Sequence, residues 1–206
     1  MHSEIVLIRH GITTGNEQRM YYGSTDVPLT ERGMEALRKN VKAGIYPDSP
    51  DARFFTTGML RTEQTLKILY GDREHGTIEK LKEINFGEFE MHTYADLSDK
   101  PEFAKWLNQE DEAKAPPGGE SIRDFSIRIR EGFDELKVEH ELLMLKLRNY
   151  EKDAMTICVC HGVVSAGIMN YIWPEEGKNF FDWIPDPGHG YILNMEAGAV
   201  TGHRKF

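Results

Sequence analysis

Val6-Leu7-Ile8-Arg9-His10-Gly11-Ile12-Thr13-Thr14-Gly15-Asn16 is the stretch on which the reading of this chain turns. Glu4 to Arg9 is a short apolar run with β-branched residues, the pattern of a buried strand. It stops abruptly at Arg9-His10-Gly11. A cation and an imidazole at the end of a buried strand, beside a glycine that lets backbone approach closely, suit capture of a compact anion. The imidazole also offers a nucleophile or proton carrier near neutral pH. Taken alone, the tripeptide fits a strand end facing water equally well, because three-residue matches are cheap. The rest of the chain decides.

The 206 residues fit a single α/β domain, 1–206, with a sizeable core. A formal charge of −9 opposes broad binding to nucleic acid or anionic membrane. A phosphorylated ligand must therefore find a local positive pocket in an acidic protein. The first strand begins within a few residues of the start, which leaves no room for a signal peptide. No apolar run approaches the roughly 18 residues of a membrane span. Cys158 and Cys160 sit two apart on one expected strand, too strained for a disulfide between them, and read as reduced core residues of a cytoplasmic protein. No Cys or His pair at zinc spacing accompanies them, so no metal is expected.

Strands are expected at 53–56, about 77–79, 155–160, 191–195 and 200–203. Thr30 caps a helix running to about Ala43, with Gly44 as its stop. Arg61 and Thr65 lie one turn apart on the helix after the second strand. Residues 91–117 read as a helical insertion ended by Pro116-Pro117-Gly118-Gly119. Ser121 with Asp124 opens a long helix whose Ile122, Phe125, Ile129, Phe133 and Leu136 recur at helical spacing. Alternating strands and helices predict a three-layer α/β/α sandwich around a mostly parallel sheet.

Two apolar strands end alike, in Arg9-His10-Gly11 and in His161-Gly162. Ligand crevices of open α/β sheets lie beyond the carboxyl ends of the strands, where both histidines would meet. Arg61, just past the second strand, can reach the same crevice, and Glu83 sits in the next loop. Each has a bland reading alone, but four such residues at strand ends make a site.

These segments resemble the histidine phosphatase superfamily, the branch with cofactor-dependent phosphoglycerate mutases and small-molecule phosphatases. Arg9-His10-Gly11 with Thr13 and Asn16 matches its signature, and Asp26 to Gly33 the next block. Thr57, Leu60, Arg61 and Thr65 match a third, Glu83 with Gly87 and Glu90 a fourth, and Gly119-Glu120-Ser121 and His161-Gly162 complete the pattern. The resemblance implies that His10 is the nucleophile, that Arg9, Arg61 and His161 hold the phosphoryl oxygens with Asn16 and Gly162 assisting, and that Glu83 is the proton donor. It implies no metal and no other cofactor. Ile12, Gly58 and Cys160 depart from the usual residues without removing a catalytic group.

The segment from Glu83 to Met91 with Tyr94 to Leu97 looks most like α-ribazole phosphatases. Residues 91–115 lack paired arginines of the kind associated with bisphosphoglycerate, which favours a phosphatase over a mutase. A silent phospholigand-binding module is the third reading. The partner implied is a small phosphorylated metabolite; the oligomeric state is left open. Substrate choice is expected from Met20, Tyr21 and Tyr22, from Phe103 and Trp106, and from Phe180 to His189. For His189, between two glycines, a pocket position and a turn role both fit; at least one of Phe103 and Trp106 is expected to anchor the insertion instead.

Overall fold

A computed structural model describes residues 2–108 and 111–206. In chain order the elements are β1 (Ser3–Arg9), α1 (Thr14–Glu17), β2 (Met20–Tyr21), α2 (Glu31–Lys42), β3 (Arg53–Thr56), α3 (Leu60–Tyr70), β4 (His75–Thr77), β5 (His92–Thr93), α4 (Tyr94–Leu97), α5 (Pro101–Leu107), α6 (Ile122–Leu147), β6 (Ala154–Cys160), α7 (Gly162–Ile172), β7 (Gly190–Glu196) and β8 (Ala199–Lys205). The main sheet has the order β4-β3-β6-β1-β7-β8. β4, β3, β6 and β1 are mutually parallel, while β7 runs antiparallel to both of its neighbours.

The alternation of β1 explains the layers. Ile5 and Leu7 point into a core shared with Phe125, Ile129, Phe133 and Leu136 of α6 and Val164 and Ile168 of α7. Val6 and Ile8 point the other way, against Leu37 of α2 and Leu66 and Leu69 of α3. β6 repeats the pattern, with Cys158 and Cys160 on the α6 side and Ile157 and Val159 on the other. Each such side chain contributes about 1.5–3 kcal/mol on burial, so a one-residue slip of either strand would expose a whole face. Both central strands are largely apolar because both faces are covered, with Thr156 a buried polar exception in β6. Thr30 accepts from the Gly33 amide and Ser121 from the Asp124 amide, which sets the starts of α2 and α6.

Two expectations need correction. β4 lies at His75–Thr77, and the expected 77–79 stretch instead enters a tight 3-10 turn at Glu79–Leu81 that buries Ile78 and Leu81. Among its described residues, the 91–117 insertion is helical only at α4 and α5. Pro101 stands in the first turn of α5, where it lacks an amide hydrogen and ends continuity with α4. β5 pairs with β2 in a small second sheet, and positions 109–110 of the insertion lie outside the described residues. Among the described residues, no helix is long and apolar enough to cross a membrane.

Candidate active site

Parallel pairing of β1 with β6 puts Arg9 opposite Cys160, so the next residue of each strand, His10 and His161, emerges at the same edge. The His10 amide donates to the Cys160 carbonyl at 3.0 Å, and the two ring centroids lie 5.3 Å apart. His10 Nδ1 is 2.7 Å from the Gly11 carbonyl. A carbonyl only accepts, so Nδ1 carries the hydrogen and Nε2 keeps its lone pair. Burial, and then the Arg61 and Arg9 guanidiniums, hold the His10 pKa well below the ordinary histidine value. The ring is neutral near pH 7.

Arg61, fully buried in the first turn of α3, is fixed at three of its five N–H groups. Nη2 donates to the Gly23 carbonyl at 2.7 Å and Nη1 to the Thr25 carbonyl at 3.0 Å. Nε donates to His161 Nδ1 at 3.3 Å, so the His161 hydrogen is on Nε2, which donates to Thr57 Oγ1 at 2.9 Å. Burial, followed by Arg61, keeps His161 neutral too. Arg9 reaches the Pro185 carbonyl through Nη1 at 2.8 Å. Its guanidinium lies against the start of α7, where a Cβ on Gly162 would come within 2.9 Å of Nε. Glycine at 162 is what admits the second cation.

Glu83 is buried, and its carboxyl oxygens each accept one backbone amide at 3.1 Å, from Ile84 and from Val163 near the start of α7. Burial raises its pKa; those two amides, then Arg61 and Arg9, pull the other way without cancelling the rise. Arg128 of α6 holds the loop beneath it. Nη1 donates to the Lys80 and Lys82 carbonyls at 2.7 and 2.9 Å, while Nε and Nη2 form a fork on Glu120 at 2.7 and 2.6 Å.

Arg9, His10, Asn16, Tyr22, Arg61, Glu83, Trp106 and Gly162 all line one cleft of about 650 Å³. Asn16 Oδ1 is committed to the Thr13 amide, 3.0 Å away, in the cap of α1. Tyr22 accepts from the Thr13 hydroxyl at 2.6 Å and carries the Arg61 guanidinium 5.2 Å from its ring centre. Met20, Tyr21, Phe180 and Phe181 join the wall, whereas Phe103 is buried at 1% exposure and anchors the insertion. His161 lies behind the cleft surface, at 0% exposure, with both ring nitrogens engaged by protein. Of the two roles open to His189, a pocket position and a turn, the structure shows the turn. The His189 amide closes a turn onto the Asp186 carbonyl, and its ring turns away to the Phe206 carbonyl at 3.0 Å, outside the cleft lining.

Sequence reasoning placed Glu90 in the acid loop without a task. In the structure its carboxylate accepts the Gly23, Ser24, Thr25 and Phe86 amides and the Thr25 hydroxyl, at 2.6–3.1 Å. Two of them, Gly23 and Thr25, are the residues whose carbonyls hold Arg61. Burial pushes the Glu90 pKa up, but the hydroxyl and amide donors outweigh it and leave the carboxyl below its ordinary value. The spacing Phe86-x-x-x-Glu90 was the sole local signal, since Gly23 is 67 residues away from its partner.

A family model, histidine phosphatase superfamily (branch 1), matches residues 5–204. The chain is 27% identical over 136 residues to a 2,3-bisphosphoglycerate-dependent phosphoglycerate mutase of Rhizobium etli, covering 62% of this chain and 64% of that protein. It is 32% identical over 127 residues to the adenosylcobalamin/alpha-ribazole phosphatase of Escherichia coli K12, covering 60% and 61%. The matched segments thus span less than two thirds of these curated relatives. The crystal structure of the alpha-ribazole phosphatase from Shigella flexneri superposes with a TM-score of 0.72 at 24% identity, over 96% of this chain and 93% of that one. At that identity the superposition speaks for the fold.

Proposed function

We propose a phosphomonoester hydrolase, on the premise that the chain belongs to the histidine phosphatase superfamily, branch 1. One observation carries the reading: a buried, neutral His10 whose Nε2 lone pair is open, flanked by two guanidiniums and sharing its cleft with a carboxyl whose pKa is raised. A phosphomonoester brings about two negative charges at pH 7, which Arg9 and Arg61 meet with oriented N–H donors. Nε2 attacks phosphorus, the P–O bond to the alcohol breaks, and Glu83 gives its proton to the departing oxygen. The Glu83 carboxylate then takes a proton from water, the new hydroxide oxygen attacks phosphorus, and the P–N bond breaks to release phosphate and neutral His10. His161 acts through Arg61, whose Nε it holds. The arginines supply the charge neutralisation, so the proposal includes no metal.

Hydrolysis is favoured over phosphoryl return to a second substrate because residues 91–117 contain no arginine and the cleft is open to water. The aromatic wall of Tyr21, Phe86 and Trp106 suits an alcohol with a ring, and α-ribazole 5′-phosphate is the leading candidate. The two buried free cysteines, Cys158 and Cys160, suit a cytoplasmic setting. A screen of phosphorylated metabolites that includes α-ribazole 5′-phosphate, read by phosphate release, tests the reading. Equal release by wild type and His10→Ala overturns it, and a requirement for a bisphosphorylated primer with little free phosphate turns it to a mutase.

A further inference from the structure

The catalytic residues occupy one end of the cleft only. From there it continues as a groove between α6 and α7. Ile122, Phe125 and Ile129 of α6 face Val163 and Gly167 of α7 along it. A Cβ on Gly167 would sit 2.4 Å from Ile129 Cδ1, so the helices close tightly beneath the groove and a ligand must run along it. At the far end the lining turns polar again, with Arg130 of α6 and Asn170 and Tyr171 of α7. α7 begins at Gly162 beside Arg9, and Tyr171 is nine residues on, about 13 Å along the axis at 1.5 Å per residue.

Arg130 is arranged for recognition. Its guanidinium carbon stands 4.4 Å from the centre of the Tyr171 ring. That contact seats the guanidinium over the ring, and its forked N–H groups suit a carboxylate or phosphate. Glu112, whose carbonyl accepts the Arg123 amide at the start of α6, also lines the cleft, so attraction for an anion comes from directed donors and not from net charge.

We propose that this groove selects elongated phosphomonoesters: a flat apolar body between the helices, and a second anionic group about 13 Å from the phosphate, held by Arg130. The proposal rests on the hydrolase reading for its first anion site and adds a second. Its ligand class is an aryl phosphomonoester with a distal carboxylate or phosphate.

The probes are biphenyl phosphate and the same ester with a para-carboxylate on the far ring, with the matching non-hydrolysable phosphonates measured by calorimetry. Wild type should bind the carboxylated phosphonate about fivefold to tenfold more tightly, as expected of one partly exposed charge-assisted pair. The same ratio should appear in kcat/KM for the esters. Arg130→Met keeps the aliphatic stem and should erase the preference while leaving the unsubstituted ester within about twofold, since only the distal donor is lost. Arg130→Lys should retain part of it. Equal affinities in wild type, or a preference that survives in Arg130→Met, overturn the proposal. If neither ester releases phosphate while the phosphonates still discriminate, it is the hydrolase reading that fails, and the distal site stands.

Discussion

Buried histidines occur at both ends of the central sheet, and they have opposite fates. At the amino end, His140 of α6 donates from Nε2 to Ser3 Oγ at 2.7 Å, Ser3 donates onward to Met144 Sδ at 3.1 Å, and Thr156 Oγ1 lies 2.9 Å from Nδ1. At the carboxyl end stand His10 and His161. Burial makes all three neutral; His140 is pushed down to about 4 by burial alone. A hydroxyl at hydrogen-bond distance from an imidazole is thus present at the amino end as well, yet every acceptor and donor there is spent on the protein. His10 differs because one ring nitrogen is held and the other faces a cleft between two cations. Incomplete satisfaction under a positive field marks the working histidine, and depressed basicity by itself does not.

That contrast breaks most sharply at His10. His10→Ala should lower phosphate release by about four orders of magnitude or more and abolish an acid-labile phosphoprotein, because the covalent route is gone. Its urea midpoint should stay close to wild type. A protein that keeps its turnover would erase the distinction between the two ends.

Next comes Glu83→Gln. Loss of the proton donor should cost about 10²–10³ in kcat with inorganic phosphate binding retained. Since the working form is the protonated acid and its pKa is raised, activity in wild type should fall as pH climbs through that raised value. The variant should lose that alkaline limb. Severe loss of phosphate binding would show the residue to be part of the anion site.

His140→Ala inverts the pattern of His10→Ala. Deleting the buried ring and stranding two hydroxyls should cost on the order of 2–4 kcal/mol, read by urea unfolding, with kcat within about twofold. The pH dependence sharpens this. A folded value of about 4 against 6.5 unfolded means the unfolded chain binds more protons between the two, so stability rises with pH across that window. His140 contributes up to about 3 kcal/mol above pH 6.5, lost as pH falls towards 4. His10 and His161 act in the same direction, so His140→Ala should flatten the acid slope by one proton's worth.

The smallest effect is expected from Glu90→Gln, which leaves the reacting groups in place and loosens the loop holding Arg61. Inorganic phosphate should bind about tenfold more weakly, since one guanidinium is no longer oriented, and Glu90→Asp should recover part of the loss. Unchanged phosphate affinity would reduce Glu90 to a structural role.

Much of this is legible in the order of the amino acids alone. The end of β1 at Arg9, the one-turn pairing of Arg61 with Thr65 and the apolar face of α6 follow from two local periods, 2.0 and 3.6. The same reasoning misplaced β4, because Ile78 and Leu81 bury as well from a 3-10 turn as from a strand. It overextended the insertion, where Pro101 breaks α4 from α5. For His189 it left two roles open, which side-chain contact with Phe206 resolved.

The sequence by itself determined which groups reach the carboxyl edge of the sheet, because strand ends and helix starts are dictated by neighbours a few residues apart. Only the tertiary structure decided what each group does there: that His161 stands behind Arg61, that Glu90 locks Gly23 and Thr25, and that the cleft runs on to Arg130. Those facts depend on partners 65 to 100 residues distant along the chain, whose approach is set by how the layers pack and leaves no periodic trace in the order of the amino acids.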